Sequence, residues 1–208
     1  SSEAKRDERK SKAPVASKLW RNLRFLRRKE ESFMIDLDLR SCELCPRLCR
    51  INREEKPGAC GCGTRLFAAR AALHFGEEPC ISGAEGSGTV FFSGCNLHCA
   101  FCQNHKISRE RYGKALTAMR LADIFRELEA KGANNINLVT PTPWVTEIIK
   151  ALKLYRPKVP VLYNTSGYER VEVLRELEGL IDVWLPDYKY ADSALAARFS
   201  GAADYPAV

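Results

Sequence analysis

No run of eighteen or more apolar residues occurs anywhere in the 208 residues, so no segment reads as a helix that crosses a bilayer. The N-terminal stretch also lacks the apolar core of a signal peptide, which predicts a protein that is not exported. Aromatic residues are few, 9% against 45% hydrophobic overall, yet the length suffices for one sizeable core plus a small appendage. Acidic residues are scarce only at the start. Residues 1–30 hold eleven Lys and Arg against four Asp and Glu, whereas residues 31–208 hold twenty-two of each. The net charge of +7 therefore belongs to the tail, and the neutral remainder argues against nucleic acid as a partner.

Residues 1 to about 16 are charged and too poor in apolar side chains to fold alone. Leu19, Leu23 and Leu26 then recur at helical spacing with Arg21, Arg24, Arg27 and Arg28 between them. That predicts a short amphipathic helix packed on the body with a solvated basic face. Glu3, Asp7 and Glu8 count against a mitochondrial presequence. Residues 1–40 thus read as a basic tail, 41–85 as a Cys-rich module and 86–208 as the main core.

Cysteine is what the chain has in excess. Six of nine fall between Cys42 and Cys80 and three within the eight residues Cys95 to Cys102. An odd total at such tight spacings fits metal-bound thiolates in a reducing compartment, read here as the cytoplasm, better than disulfides.

From residue 89 the texture becomes an alternation of strands and helices. Strands are predicted at 89–92, 135–139, 159–163 and 182–185. Helices are predicted at 117–131, with Thr117 as N-cap and Gly132 as the stop, then from Thr142 with Pro143 in its first turn, and over about 169–180. Four strands and three helices in this order mean an α/β fold of parallel βα units, either doubly wound or a partial barrel. In both, the reactive edge lies at the C-terminal ends of the strands. Cys95, Cys99 and Cys102 follow the first strand, Thr140, Pro141 and Thr142 the second, Asn164, Thr165 and Ser166 the third, and Asp187 and Lys189 the fourth.

The spacing C-x3-C-x2-C in GCNLHCAFC (94–102) lets three thiolates each bind one iron of a cubane while the fourth iron keeps no protein ligand. Structural zinc would want a fourth protein ligand, as would a ferredoxin cluster. His98, inside the loop, reads as solvent-facing or supporting rather than as a ligand.

With Phe101 before the last cysteine, this triplet resembles the signature of the radical S-adenosylmethionine superfamily. CELCPRLC (42–49), AALHFGEEPCISG (71–83), FFSGCNLHCAFCQN (91–104), NLVTPT (137–142), YNTSGYE (163–169) and LPDYKY (185–190) resemble the pyruvate formate-lyase-activating-enzyme-like proteins. The resemblance covers about residues 42–208. It implies a partial (βα)6 barrel, a 4Fe–4S cluster on Cys95, Cys99 and Cys102, and reductive cleavage of S-adenosylmethionine for hydrogen abstraction, in activating enzymes from a glycine of a protein substrate. It also implies a flavodoxin- or ferredoxin-like electron donor. Thr140, Pro141 and Thr142 match the place that binds the methionyl amino group, although the usual Gly-Gly-Glu is absent. Asn164, Thr165 and Ser166 match a strand end that approaches the cofactor, and Asp187 and Lys189 an Asp-x-Lys beside its carboxylate and ribose. Pro143-Trp144 stands where a His-aromatic pair is expected. About four of six βα units precede Val208, so the barrel reads as truncated at its C-terminus, and a catalytically inactive metal-binding protein is the alternative function.

Cys42, Cys45, Cys49 and Cys60 offer a second metal site, iron–sulfur or zinc. The competing reading is a set of unliganded structural thiols. Cys62 and Cys80 read as bound to no metal.

Overall fold

A computed structural model describes residues 37–110 and 112–208. The tail's leucine–arginine helix lies outside the described residues. After a 3-10 turn at Leu39–Ser41, the elements are β1 (Leu66–His74), α1 (Pro79–Ser82), β2 (Ser87–Phe92), α2 (His105–Glu110), β3 (Lys114–Leu116), α3 (Ala118–Ala130), β4 (Ile136–Val139), α4 (Val145–Leu154), β5 (Val161–Thr165), α5 (Val171–Arg175), β6 (Val183–Pro186) and α6 (Ser193–Ser200). Among the described residues no helix is long and apolar enough to cross a membrane.

The strands form one six-stranded sheet in the order β3-β1-β2-β4-β5-β6. β2, β4, β5 and β6 run parallel, as βα repetition requires. β2, β4 and β5 are buried along nearly their whole length because inner strands of such a sheet are covered on both faces. The whole is an α/β arrangement consistent with a partial (βα) barrel.

Two strands escape a reading by alternation. β1 and β3 add antiparallel to the side of β2. β1 lies inside the stretch expected to form a Cys-rich module, so part of that stretch belongs to the main sheet. Its core-facing periodicity is interrupted by a bulge between Ala68 and Arg70, which explains why no regular pattern is visible there.

The helix over 117–131 forms nearly as its sequence predicts. Thr117 Oγ1 accepts the Arg120 N–H at 3.1 Å, and Leu121, Ile124, Phe125 and Leu128 turn into the core. Thr142 does not cap the next helix. Residues Thr142–Trp144 make a 3-10 turn, α4 starts at Val145, and the Thr142 hydroxyl donates instead to a buried carboxylate, Glu169. The helix expected over 169–180 shrinks to α5, with turns after Arg175. Among the described residues β6 forms one edge of the sheet, and Pro186 at its end suits an edge.

Phe125 is fully buried between α3 and the sheet. Phe125→Ala should lower the unfolding free energy by about 3–5 kcal/mol, the usual cost of emptying a core aromatic site. Chemical denaturation measures this directly, and a loss below about 1 kcal/mol would contradict the packing described.

Candidate functional site

The segment after β2 is a loop rather than a helix because backbone demands leave little choice. Gly94 has φ +88°, and a Cβ there would stand 2.1 Å from Cys62 Sγ, so only glycine fits. Trp144 Nε1 donates to the Ser93 carbonyl at 2.8 Å and pins the loop's start. Arg47 donates through Nε to the Asn96 carbonyl at 2.8 Å and through Nη2 to the Leu97 carbonyl at 3.3 Å. Arg109 Nη2 reaches the His98 and Cys99 carbonyls at 2.8 and 2.9 Å. With four successive carbonyls held by guanidinium groups, backbone N–H groups remain free to face sulfur. The Leu97 N–H donates to Cys95 Sγ at 3.4 Å.

A second small core surrounds this loop. Cys95, Leu97 and Cys99 pack with Tyr168, Tyr190, Ala196, Ala202 and Tyr205, and Cys102 and Phe199 lie against them. The Ala100 N–H donates to the Phe199 carbonyl at 2.7 Å, so α6 and the turn after it brace the loop from the far side. Burial pushes the Cys95 thiol up, and the His98 and Leu97 N–H groups oppose that. Burial, then the Arg47 and Arg109 charges, lower the His98 pKa. His98 is half-buried, and its Nε2 has no partner among the described residues.

The parallel strands deliver their last residues to the same edge. Thr140 N–H donates to the Asn164 carbonyl, and Asp187 N–H to the Thr165 carbonyl, each at 2.9 Å. These bonds extend the ladder one step past the strands. Gly167, φ +74°, lets the chain pass the Asp187 carbonyl, which a Cβ would meet at 2.1 Å. The Tyr205 hydroxyl donates to the Ser166 carbonyl at 2.8 Å and accepts the Lys189 N–H at 2.9 Å. Lys189 Nζ lies 2.5 Å from Asp187 Oδ2; burial lowers its pKa but the carboxylate overrides this, for a net rise.

Cys95, Cys99, Cys102, Thr140, Asn164, Thr165, Ser166, Asp187 and Lys189 line one cavity of ≈ 420 Å³. That is the size of sites that enclose a small organic ligand, about 300–1,000 Å³. Pro141 and Thr142, expected with them, do not line it. Thr140 takes φ 57°, and this left-handed step turns the chain so that Thr142 faces the interior instead. Gln103 and Asn104 do line it, polar residues that spacing gave no reason to select.

Between strand ends and helices sits a carboxylate that sequence reasoning passed over. Glu169 is buried, and its Oε1 accepts hydroxyl hydrogen bonds from both Thr142 and Thr165. The Tyr163 hydroxyl lies beside the same carboxylate. Burial pushes Glu169 up to about 7, against the pull of the Thr142, Thr165 and Tyr163 hydroxyls.

The remaining cysteines separate. Cys42, Cys45, Cys49 and Cys60 line a second, small cavity with Arg53, Gly58, Asn96 and Thr142. Cys62 is fully buried against Gly94, and Cys80 is exposed on α1. Burial pushes Cys45 up to about 12, whereas a hydrogen bond from Cys62 and then the Arg53 charge hold Cys60 down at about 6. Among the described residues no three His, Cys, Asp or Glu side chains converge where one metal ion would sit. Cys95, Cys99 and Cys102 share one loop at the wall of the larger cavity, an arrangement with room for an organic ligand beside the three sulfurs.

A family model described as the Radical SAM superfamily matches residues 89–194, from β2 into α6. An uncharacterized protein of Methanocaldococcus jannaschii is 31% identical over 175 residues, 80% of this chain and 50% of that protein. The chain spans about half the length of this relative.

Glu169 gives a pH signature. Its folded pKa near 7 stands above the reference 4.5, so the folded protein retains a proton that the unfolded chain releases between those values. Stability from this group is full below about pH 4.5 and falls as pH rises toward 7, by on the order of 3 kcal/mol. Glu169→Gln should remove that decline in denaturation midpoints measured across the window. An unchanged slope would mean that another group causes it.

Proposed function

The chain belongs to the radical S-adenosylmethionine superfamily, and on that premise we propose that Cys95, Cys99 and Cys102 hold a 4Fe–4S cluster and that the adjoining cavity receives S-adenosylmethionine. Together these groups supply a one-electron reductive cleavage that yields methionine and a 5′-deoxyadenosyl radical able to take a hydrogen atom from a substrate. The observation that carries the reading is the shared cavity. Three thiols on one loop and six polar residues from three strand ends, selected independently by spacing and topology, line the same space.

The chain's own groups divide the work of positioning. Arg47 and Arg109 hold the loop's carbonyls, which leaves N–H groups to face sulfur. Lys189 offers a cation to the cofactor's carboxylate, and Asp187 holds its amine at the strand end. Asn164, Ser166 and the Thr140 backbone present donors and acceptors in place of the acidic motif that this chain lacks. Leu97, Phe199 and the tyrosines behind the loop exclude water from one side.

The finer assignment follows the motifs that resemble activating enzymes: hydrogen abstraction from a glycine of a protein substrate, with a flavodoxin- or ferredoxin-like donor. Phe101 and Tyr188 support a protein substrate. They are large apolar side chains, 57% and 77% exposed, beside the cavity's cysteine and Asp187–Lys189 walls.

Anaerobically reconstituted protein given S-adenosylmethionine and a strong reductant should release 5′-deoxyadenosine. Cys95→Ser, Cys99→Ser and Cys102→Ser should each abolish it. Lys189→Ala should keep the iron and weaken cofactor binding by about tenfold, the worth of one charge-assisted contact. Turnover that persists without the triplet would sink the assignment.

A further inference from the structure

We propose that Cys42, Cys45, Cys49 and Cys60 hold a second iron–sulfur cluster beside the first. All four residues line one small cavity, although they come from two segments separated by the turns around Asn52 to Lys56. Gly58 sits between two of them: a Cβ there would lie 3.6 Å from Cys60 Sγ and 3.7 Å from Cys49 Sγ. The Ala59 N–H donates to Cys49 Sγ at 3.4 Å.

The backbone repeats the device seen in the triplet loop. Cys45 to Cys49 and Cys95 to Cys99 are both C-x3-C segments. In each, the residue before the second cysteine is left-handed, Leu48 at φ 42° and His98 at φ 59°. At both sites a backbone N–H donates to a cysteine sulfur at 3.4 Å, Ala59 to Cys49 and Leu97 to Cys95. Non-glycine residues adopt this conformation rarely and at a cost, so its recurrence at matching positions points to a common ligand chemistry.

Arg53 supplies the electrostatic reason. Its guanidinium is 2% exposed and donates to the carbonyls of Cys62, Gly63 and Pro143, with Cys42 Sγ at 4.0 Å. None of its ion pairs to a carboxylate is found among the described residues. A buried cation needs an anion, and four thiolates around a 4Fe–4S core carry a net negative charge. Asn96 gives a second sign of a missing group. It is 2% exposed, lines the same cavity, and its Oδ1 has no partner among the described residues.

Zinc would draw the same four sulfurs tetrahedrally around one ion, so metal identity in the experiment below separates the two. A cluster requires them to ring a volume, each sulfur taking its own iron. Arg47, within the first C-x3-C segment, holds carbonyls of the second, so the two clusters would occupy adjoining loops.

Iron and acid-labile sulfide counted in the full reconstituted chain decide the matter without any variant. About eight of each per chain are expected, and about four would overturn the proposal. The triple variant Cys95→Ser, Cys99→Ser, Cys102→Ser should keep about half the iron, with cluster absorbance and a Mössbauer signature of its own. Conversely, a variant with serine at positions 42, 45, 49 and 60 should lose that half and retain the triplet's EPR signal. Stoichiometric zinc in the triple variant, or no metal at all in a protein whose far-UV circular dichroism is unchanged, would overturn it. Because this readout is metal content in the triplet's absence, failure of the first site leaves the second independently measurable.

Discussion

Everything at the candidate site depends on the parallel pairing of β2, β4, β5 and β6. Parallel strands in a βα series all end on one side, so residues far apart in sequence arrive together without any local contact between them. The ladder continues past the strands through Thr140 and Asp187, which carries its precision into the loops. Loop residues placed in this way inherit the rigidity of the sheet, which a site that must orient a reactive group requires.

Buried charge is the second organising constraint. Glu169 and Arg53 both lie within the protein, and neither is opposed there by a described ion-pair partner. The carboxylate answers by shifting toward its neutral form and taking hydroxyl hydrogen bonds. The guanidinium cannot give up its proton, so it gathers carbonyls and faces sulfur. Thr142 touches both regions, since its hydroxyl meets Glu169 while its side chain lines the cavity of the four N-terminal cysteines. Thr165, which lines the triplet's cavity, donates to the same carboxylate, so Glu169 lies between the two cavities.

The segment after β6 closes this region. Tyr168, Tyr190 and Tyr205 pack edge-on and stacked behind the cysteine loop, with Tyr168–Tyr205 centroids 5.9 Å apart. Arg47 reaches the Ser200 carbonyl at 2.8 Å, so one side chain ties the N-terminal cysteine segment, the triplet loop and α6. Long-range ties of this kind, between residues some 50 to 150 positions apart, leave no mark on local composition.

The sequence by itself determined the parallel βα repeat, the α3 face and the nomination of Cys95, Cys99 and Cys102, because each rests on local periodicity or ligand spacing. The strand ends at Thr140, Asn164, Thr165, Ser166, Asp187 and Lys189 were legible for the same reason, since topology alone sends them to one edge. Only the tertiary structure decided that Pro141 and Thr142 turn away, that β1 joins the sheet through a bulge, and that Glu169 and Arg53 are buried. A left-handed turn at Thr140 and the burial of a charge depend on what the rest of the chain packs against those positions, and no window of neighbouring residues contains that information.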